Sequence, residues 1–385
     1  MNKSYLKTKN KKDCNGCKNC ELVCPKKAII MIEDKEGFIY PRIDENKCIQ
    51  CGMCIKYCSN ITDNNCFKSI VYAVKNKDGD KRKKSTSGGV FIEIAEYAIA
   101  NGGWVYGVQY DKDLKVIHNG SNKIENIKKF SISKYVRSDI GNCFEEIKCR
   151  LEQNNIVLFT GTPCQNYALK KFLGKKYEKL ILCEIICHSN PSPKIFEMFK
   201  KNVEIENNKK IKSIFFRSKN NQSHNRPYVE FSDGSIKEYD EYNKAFDSML
   251  ISRPSCSRCN FVSKNRKADI TIGDFWGINK IHPEFYDKEG ISLVIINSER
   301  GKQIFRKISD KFEIISADID EAFLYNHNKN IKENKRRKKF FKMIENGKIN
   351  DNNIIYYMDK FSKNLYINRI LKKIKKILKR YIVKG

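Results

Sequence analysis

CNGCKNCELVCP, residues 14–25, sets four cysteines in the spacing C-x2-C-x2-C-x3-C-P. CIQCGMCIKYCS, residues 48–59, repeats it with Ser59 in place of the proline. This is the bacterial two-cluster ferredoxin run, in which three sulfurs wrap one cubane and the fourth reaches across to the other. Cys14, Cys17, Cys20 and Cys58 are therefore expected to hold one 4Fe–4S cluster, and Cys24, Cys48, Cys51 and Cys54 the second. Structural zinc is the competing reading of paired CxxC motifs, but it leaves the regular third and fourth cysteines unexplained. Thiolates suit iron–sulfur chemistry, and neighbouring cubanes make an electron relay.

The chain extends far beyond this module. Its 385 residues, 40% hydrophobic and 11% aromatic, describe a globular protein with room for further domains. Sixteen cysteines, with no signal-type apolar segment and no apolar run long enough to span a membrane, point to metal or redox chemistry in a reducing cytoplasm. The formal charge is +30. Solvated surface lysines account for it most simply, and attraction to acidic partners or phosphate-bearing cofactors comes second. No helix-turn-helix, zinc-finger or RNA-binding signature is present, so no nucleic acid is expected.

Charged KNKDGDKRKK, residues 75–84, reads as a linker closing a ferredoxin-like domain at 1–75. A mixed α/β core is expected beyond it, divided as 84–165 and 166–328 and followed by a basic helical tail at 331–385. SGGVFIEIAEYAIANGG reads as a helix opened by Ser87 and closed by Gly102 and Gly103, and WVYGVQY and VLFTG as strands. A helix is expected from Pro163 through Leu173, and the apolar run KLILCEIIC as a buried strand. IFFRS and PYVEFSDGSIKEY read as hairpin strands turning at Asp233-Gly234, and ADITIGDFWG and ISLVIINS as further strands.

STSGG (85–89), GGWVYGVQYD (102–111), SKYVRSDIG (133–141), VLFTGTPCQ (157–165), ICHSNPSP (186–193), RPSCSRCNF (253–261) and ADITIGDFWG (268–277) follow one another in order. Together they resemble the beta subunit of coenzyme F420-reducing hydrogenase and formate dehydrogenase, over about residues 10 to 325. The resemblance implies an iron–sulfur flavoprotein moving electrons between ferredoxin-type centres and a substrate at FAD. Some members reduce the deazaflavin coenzyme; others are single-chain, ferredoxin-dependent reductases of organic acceptors. The alternative is a non-catalytic electron-transfer subunit of a larger complex.

Within those motifs, Ser87, Gly88 and Gly89 open a helix whose N–H groups would favour the flavin pyrophosphate, although Ser-Gly-Gly there also serves as a cap. Lys134, Arg137 and Ser138 could address the same anion or form a solvated basic turn. Thr160, Gly161 and Thr162 stand at a strand-to-helix turn, and Cys164 follows in the first helical turn, where a thiol is a ligand, a redox group or a small buried hydrophobe. The resemblance makes Cys164, Cys187, Cys256 and Cys259 one ligand set for a third 4Fe–4S cluster, with structural zinc as its rival. His188 is the candidate proton donor, against an ordinary structural histidine. Cys66, Cys143, Cys149 and Cys183 read as core or surface thiols.

NLYINRILKKIKKILKRYIVKG ends the chain, with nine Lys or Arg and no acid between Lys363 and Lys384. It reads equally as a helix on an anionic membrane or acidic partner and as one covering its own domain. Expected partners are therefore ferredoxin or another acidic redox protein, a small organic acceptor, and a membrane surface through 363–384. The expected location is the cytoplasm, peripheral at the membrane if the tail binds it.

Overall fold

The structure is a computed structural model describing residues 3–62, 67–217, 219, 227–327 and 329–362. Its strands are β1 (Ile29–Glu33), β2 (Ile39–Ile43), β3 (Ile70–Asn76), β4 (Trp104–Tyr110), β5 (Val116–Ser121), β6 (Val157–Gly161), β7 (Leu180–Ile185), β8 (Ile211–Phe215), β9 (Tyr228–Phe231), β10 (Ile236–Glu238), β11 (Ile270–Asp274), β12 (Ser292–Ile296) and β13 (Phe312–Ala317). β1 and β2 pair antiparallel within the N-terminal module, and β8, β9 and β10 form a small antiparallel sheet turning at Asp233-Gly234. The other eight strands build one mixed sheet in the order β13-β3-β12-β11-β7-β6-β4-β5. Its centre, β11-β7-β6-β4, is parallel, and the remaining pairs are antiparallel.

The apolar runs make this sheet because both faces are covered. Leu158 and Ile181 face one core with the helices Val90–Ala100 and Glu299–Ile308. Phe159 and Leu182, one residue on, face the opposite core with the helices Cys143–Glu152 and Pro163–Leu173. A second body of core gathers the helix Pro193–Asn207, the small sheet, the helix Arg337–Glu345 and a last helix over 354–362. The described part of the predicted tail therefore packs inward through Phe340, Phe341 and Phe361. Residues 363–385, which carry the basic run, lie outside the described residues, as does Cys66.

Two sequence expectations differ from what is observed. Residues 75–84 do not separate an N-terminal domain from the rest: β3 crosses into them and lies between β12 and β13, and a short helix, Gly79–Lys83, follows. Composition suggested a linker because the residues after Asn76 are all polar or glycine, but the strand before them is buried on alternate positions. The division at 165 falls inside the helix Pro163–Leu173, and β4 to β7 continue one sheet across it.

Candidate functional site

The parallel strands β6, β7 and β11 end on one side of the sheet, where open α/β sheets place their ligand sites. A cavity of about 430 Å³ opens there, a size usual for cofactor pockets. Of the expected flavin residues, Ser87, Gly89, Lys134, Ser138, Thr160, Gly161 and Thr162 line it, together with Cys187 and His188. The Ser87 hydroxyl donates to the Ile291 carbonyl at 3.1 Å. Gly89, at φ +87°, is the residue that caps the helix Val90–Ala100, two positions after the expected opening at Ser87. Lys134 Nζ donates to the Lys129 and Ile132 carbonyls at 2.8 and 2.9 Å.

Two expected residues are placed outside the lining. Gly88 is pressed against β3 and β12: a Cβ there would lie 2.4 Å from the Val74 carbonyl oxygen and 2.6 Å from the Ser292 nitrogen. Its smallness serves that close packing. Arg137 turns away from the cavity, is buried, and donates from Nη2 to the Gly16 carbonyl at 2.5 Å.

The cavity floor is held by a hydrogen-bonded chain. Gln165 Oε1 accepts the Thr162 backbone N–H and hydroxyl at 3.0 and 2.9 Å, and its Nε2 donates to Ser138 Oγ at 2.9 Å. Ser138 Oγ lies 2.9 Å from His118 Nδ1, and His118 Nε2 lies 3.1 Å from the Thr160 carbonyl. A carbonyl can only accept, so Nε2 carries the proton and Nδ1 accepts the Ser138 hydroxyl. Burial holds His118 down at about 4, keeping that ring neutral. His188 meets His327 at 2.9 Å between Nδ1 and Nε2, and both line the cavity. Arg217, ion-paired with Asp274, lies 5.5 Å above the Trp276 ring on the same wall.

Cys164, Cys187, Cys256 and Cys259 come from four places: the first turn of the helix after β6, the loop after β7, and both ends of the CxxC turn over Pro254–Arg258. The fold gathers them. Burial pushes the Cys256 and Cys259 thiols up to about 11 and 12, with Cys164 nearby adding to each. Burial raises Cys187 well above the ordinary range, and Cys164, Cys256 and Cys259 add to it in turn. Asn190 caps two of the sulfurs, its N–H 3.3 Å from Cys256 Sγ and its Nδ2 3.7 Å from Cys164 Sγ.

The ferredoxin cysteines divide likewise. Burial raises Cys17 to about 11, and Cys58 and Cys14 raise it further; burial also raises Cys20, with Cys17, Cys14 and Cys58 adding. Burial raises Cys54 too, with Cys48 and Cys51 adding. Cys24 Sγ accepts the Ala28 N–H at 3.2 Å. Among the described residues no three His, Cys, Asp or Glu side chains converge as ligands of a single ion; a cubane spreads its four thiolates over four irons and needs no such convergence. Of the other cysteines, Cys143 and Cys183 are buried and Cys149 is exposed.

Sequence reading overlooked Arg253, the first residue of the motif RPSCSRCNF. It is buried at 1% exposure, donates from Nε to the Cys14 carbonyl at 2.7 Å and from Nη2 to the Ile39 carbonyl at 2.8 Å, and stacks over Tyr40 at 4.4 Å. Asn260 Nδ2 reaches the Asn60 carbonyl at 2.8 Å, and Arg258 meets Asp13 at 3.7 Å. The CxxC turn is thus bound to the loops that carry Cys14 and Cys58.

Residues 13–60 match the 4Fe-4S dicluster domain, so the chain is an iron–sulfur protein of the electron-transfer class. Residues 154–322 match the domain described as the C terminus of the coenzyme F420 hydrogenase/dehydrogenase beta subunit. With the two in this order, the chain belongs to the F420 hydrogenase/dehydrogenase beta-subunit family and carries an N-terminal dicluster domain. No curated protein matches the sequence. Among solved structures, the xenon-derivatised F420-reducing NiFe hydrogenase complex from Methanosarcina barkeri is similar at 17% identity, over 79% of this chain and 92% of the other, with a TM-score of 0.45. That likeness is too slight to bear on function. Among the described residues no helix is long and apolar enough to cross a membrane.

Proposed function

We propose that this chain is an iron–sulfur flavoprotein that takes electrons from ferredoxin or another acidic redox protein and delivers them, through FAD, to an organic acceptor or the deazaflavin coenzyme. In this reading Cys24, Cys48, Cys51 and Cys54 hold the outer cluster and Cys14, Cys17, Cys20 and Cys58 the next. Cys164, Cys187, Cys256 and Cys259 hold a third. The gathering of those four thiols between the dicluster loops and the cavity wall carries the proposal, because Cys187 belongs to both the set and the lining.

FAD fits the cavity by donor chemistry. Hydroxyls of Thr86, Thr162 and Ser138, the Lys134 ammonium and the Arg217 guanidinium line it, with the aromatic Trp276, Tyr135 and Phe246. The flavin would supply hydride or single-electron transfer, and the chain's own residues would bind and orient it. His118, Ser138 and Gln165 hold the floor fixed, while His188 and His327 stand where a proton could pass to a bound acceptor.

The family's description as a beta subunit favours a second reading, an electron-transfer subunit that does chemistry only beside a partner chain. Anaerobic reconstitution separates the two. Flavin absorbance, about twelve irons per chain and ferredoxin-driven turnover by the isolated chain are expected. Turnover appearing only with a partner protein selects the second reading. About eight irons plus one zinc removes the third cluster.

A further inference from the structure

Two buried arginines stand at the seam between the inner dicluster set and the third set. Arg137 gives Nη2 to the Gly16 carbonyl, and Arg253 gives Nε to the Cys14 carbonyl. Both guanidinium groups are also close enough to act on Cys256. Among the described residues, Nη1 of Arg137 and Nη1 of Arg253 have no acceptor although both atoms are buried. A buried guanidinium N–H without an acceptor loses a charge-assisted hydrogen bond, about 1.5–3 kcal/mol, so native folds rarely leave two together. The backbone is shaped around one of them: Gly16 has φ +68°, and a Cβ there would lie 2.8 Å from Arg253 Nη1.

No carboxylate is hydrogen-bonded or ion-paired to either arginine among the described residues, whereas the neighbouring Arg266 has Glu184 at 3.8 Å. Two uncompensated positive charges in a dry seam call for anionic neighbours. A 4Fe–4S centre with four thiolates is an anion, and its sulfurs accept hydrogen bonds from N–H groups.

We infer that Arg137 and Arg253 form a cationic bridge between the Cys14–Cys17–Cys20–Cys58 cluster and the Cys164–Cys187–Cys256–Cys259 cluster. Each ties down the backbone of the first while its charge and remaining N–H stabilise the reduced state of the pair. They are positioning residues for electron passage. The inference rests on the proposed third cluster.

The test uses the full chain reconstituted with iron and sulfide, counting iron and titrating the clusters by electron paramagnetic resonance. Arg137→Met and Arg253→Met are expected to keep about twelve irons while the midpoint potentials of both inner clusters fall, since removing a cation makes an anionic centre harder to reduce. Arg253→Lys should recover part of the shift. If Arg253→Met does not fold, Arg137→Met decides alone. Unchanged potentials at full iron content overturn the bridge. So does loss of four irons in both Met variants that Arg253→Lys does not restore, because the arginines are then struts only. A wild-type chain holding about eight irons removes the third cluster itself, and this inference with it.

Discussion

Cys51 and Cys187 stand at opposite ends of the chain of thiols. Cys51 is exposed on a loop with Gln50 and Gly52, next to Ile49, itself 58% exposed. Cys187 sits at the inner end of β7 among Cys164, Cys256 and Cys259, on the cavity wall. The outer loop draws three cysteines from seven consecutive residues, and local backbone geometry suffices to shape it. The inner set needs strands and helices from across the α/β body to be in place. Such a contrast suits an outer centre that exchanges electrons with partners and an inner one whose surroundings are fixed and dry, since solvent exposure and hydrogen bonding set cluster potentials.

The widest break in the contrast is expected from Cys256→Ser. Iron should fall by about one third and acceptor turnover to background, while the two N-terminal clusters still take up electrons. Cys51→Ser should do the opposite, slowing reduction by the donor and leaving the inner potentials in place. Equal damage to all clusters from either variant would show that the sets are not independent.

Acid should weaken the inner region selectively. The folded His118 ring titrates at about 4, below the roughly 6.5 of an unfolded histidine. The depressed folded value means its contribution is fully present above about pH 6.5 and is lost as pH falls through 4, about 3 kcal/mol in all. His118→Asn should flatten the decline in thermal stability between pH 7 and 5; an unchanged slope would exclude this ring as its source. Gly16→Ala should cost about 2 kcal/mol, measured by chemical denaturation, because φ +68° disfavours a side chain and Arg253 occupies the space. Ile49→Ser, the smallest, should alter stability by less than about 0.5 kcal/mol while raising the KM for the protein donor. No change in that KM would locate donor docking elsewhere.

How much of this was legible in the sequence follows the same division. The eight N-terminal cysteines could be read from spacing because a cubane's ligands there are local. Cys164 and Cys256 are 92 positions apart, and no periodicity links them; only the ordered motifs grouped them. Arg253 and Arg137 both lie within those motifs, yet their role depends on which carbonyl each reaches, and that is set by tertiary packing. Arg137 was expected at the flavin because a basic residue beside a serine suits phosphate, but it turns to Gly16. His118 carried no signal: a single histidine on a strand becomes informative only once Ser138 and Thr160 are seen on either side of it.

β3 also has a consequence for synthesis. It leaves the translating ribosome directly after the dicluster cysteines, but both of its sheet partners, β12 and β13, end more than 200 residues later. At cellular elongation rates that wait is roughly 10 to 50 s, during which both edges of an apolar strand stand unpaired. The segment that receives electrons is thus the first made, yet it is anchored in the large sheet only when almost the whole chain has emerged. Deleting it would leave β12 and β13 without their common neighbour.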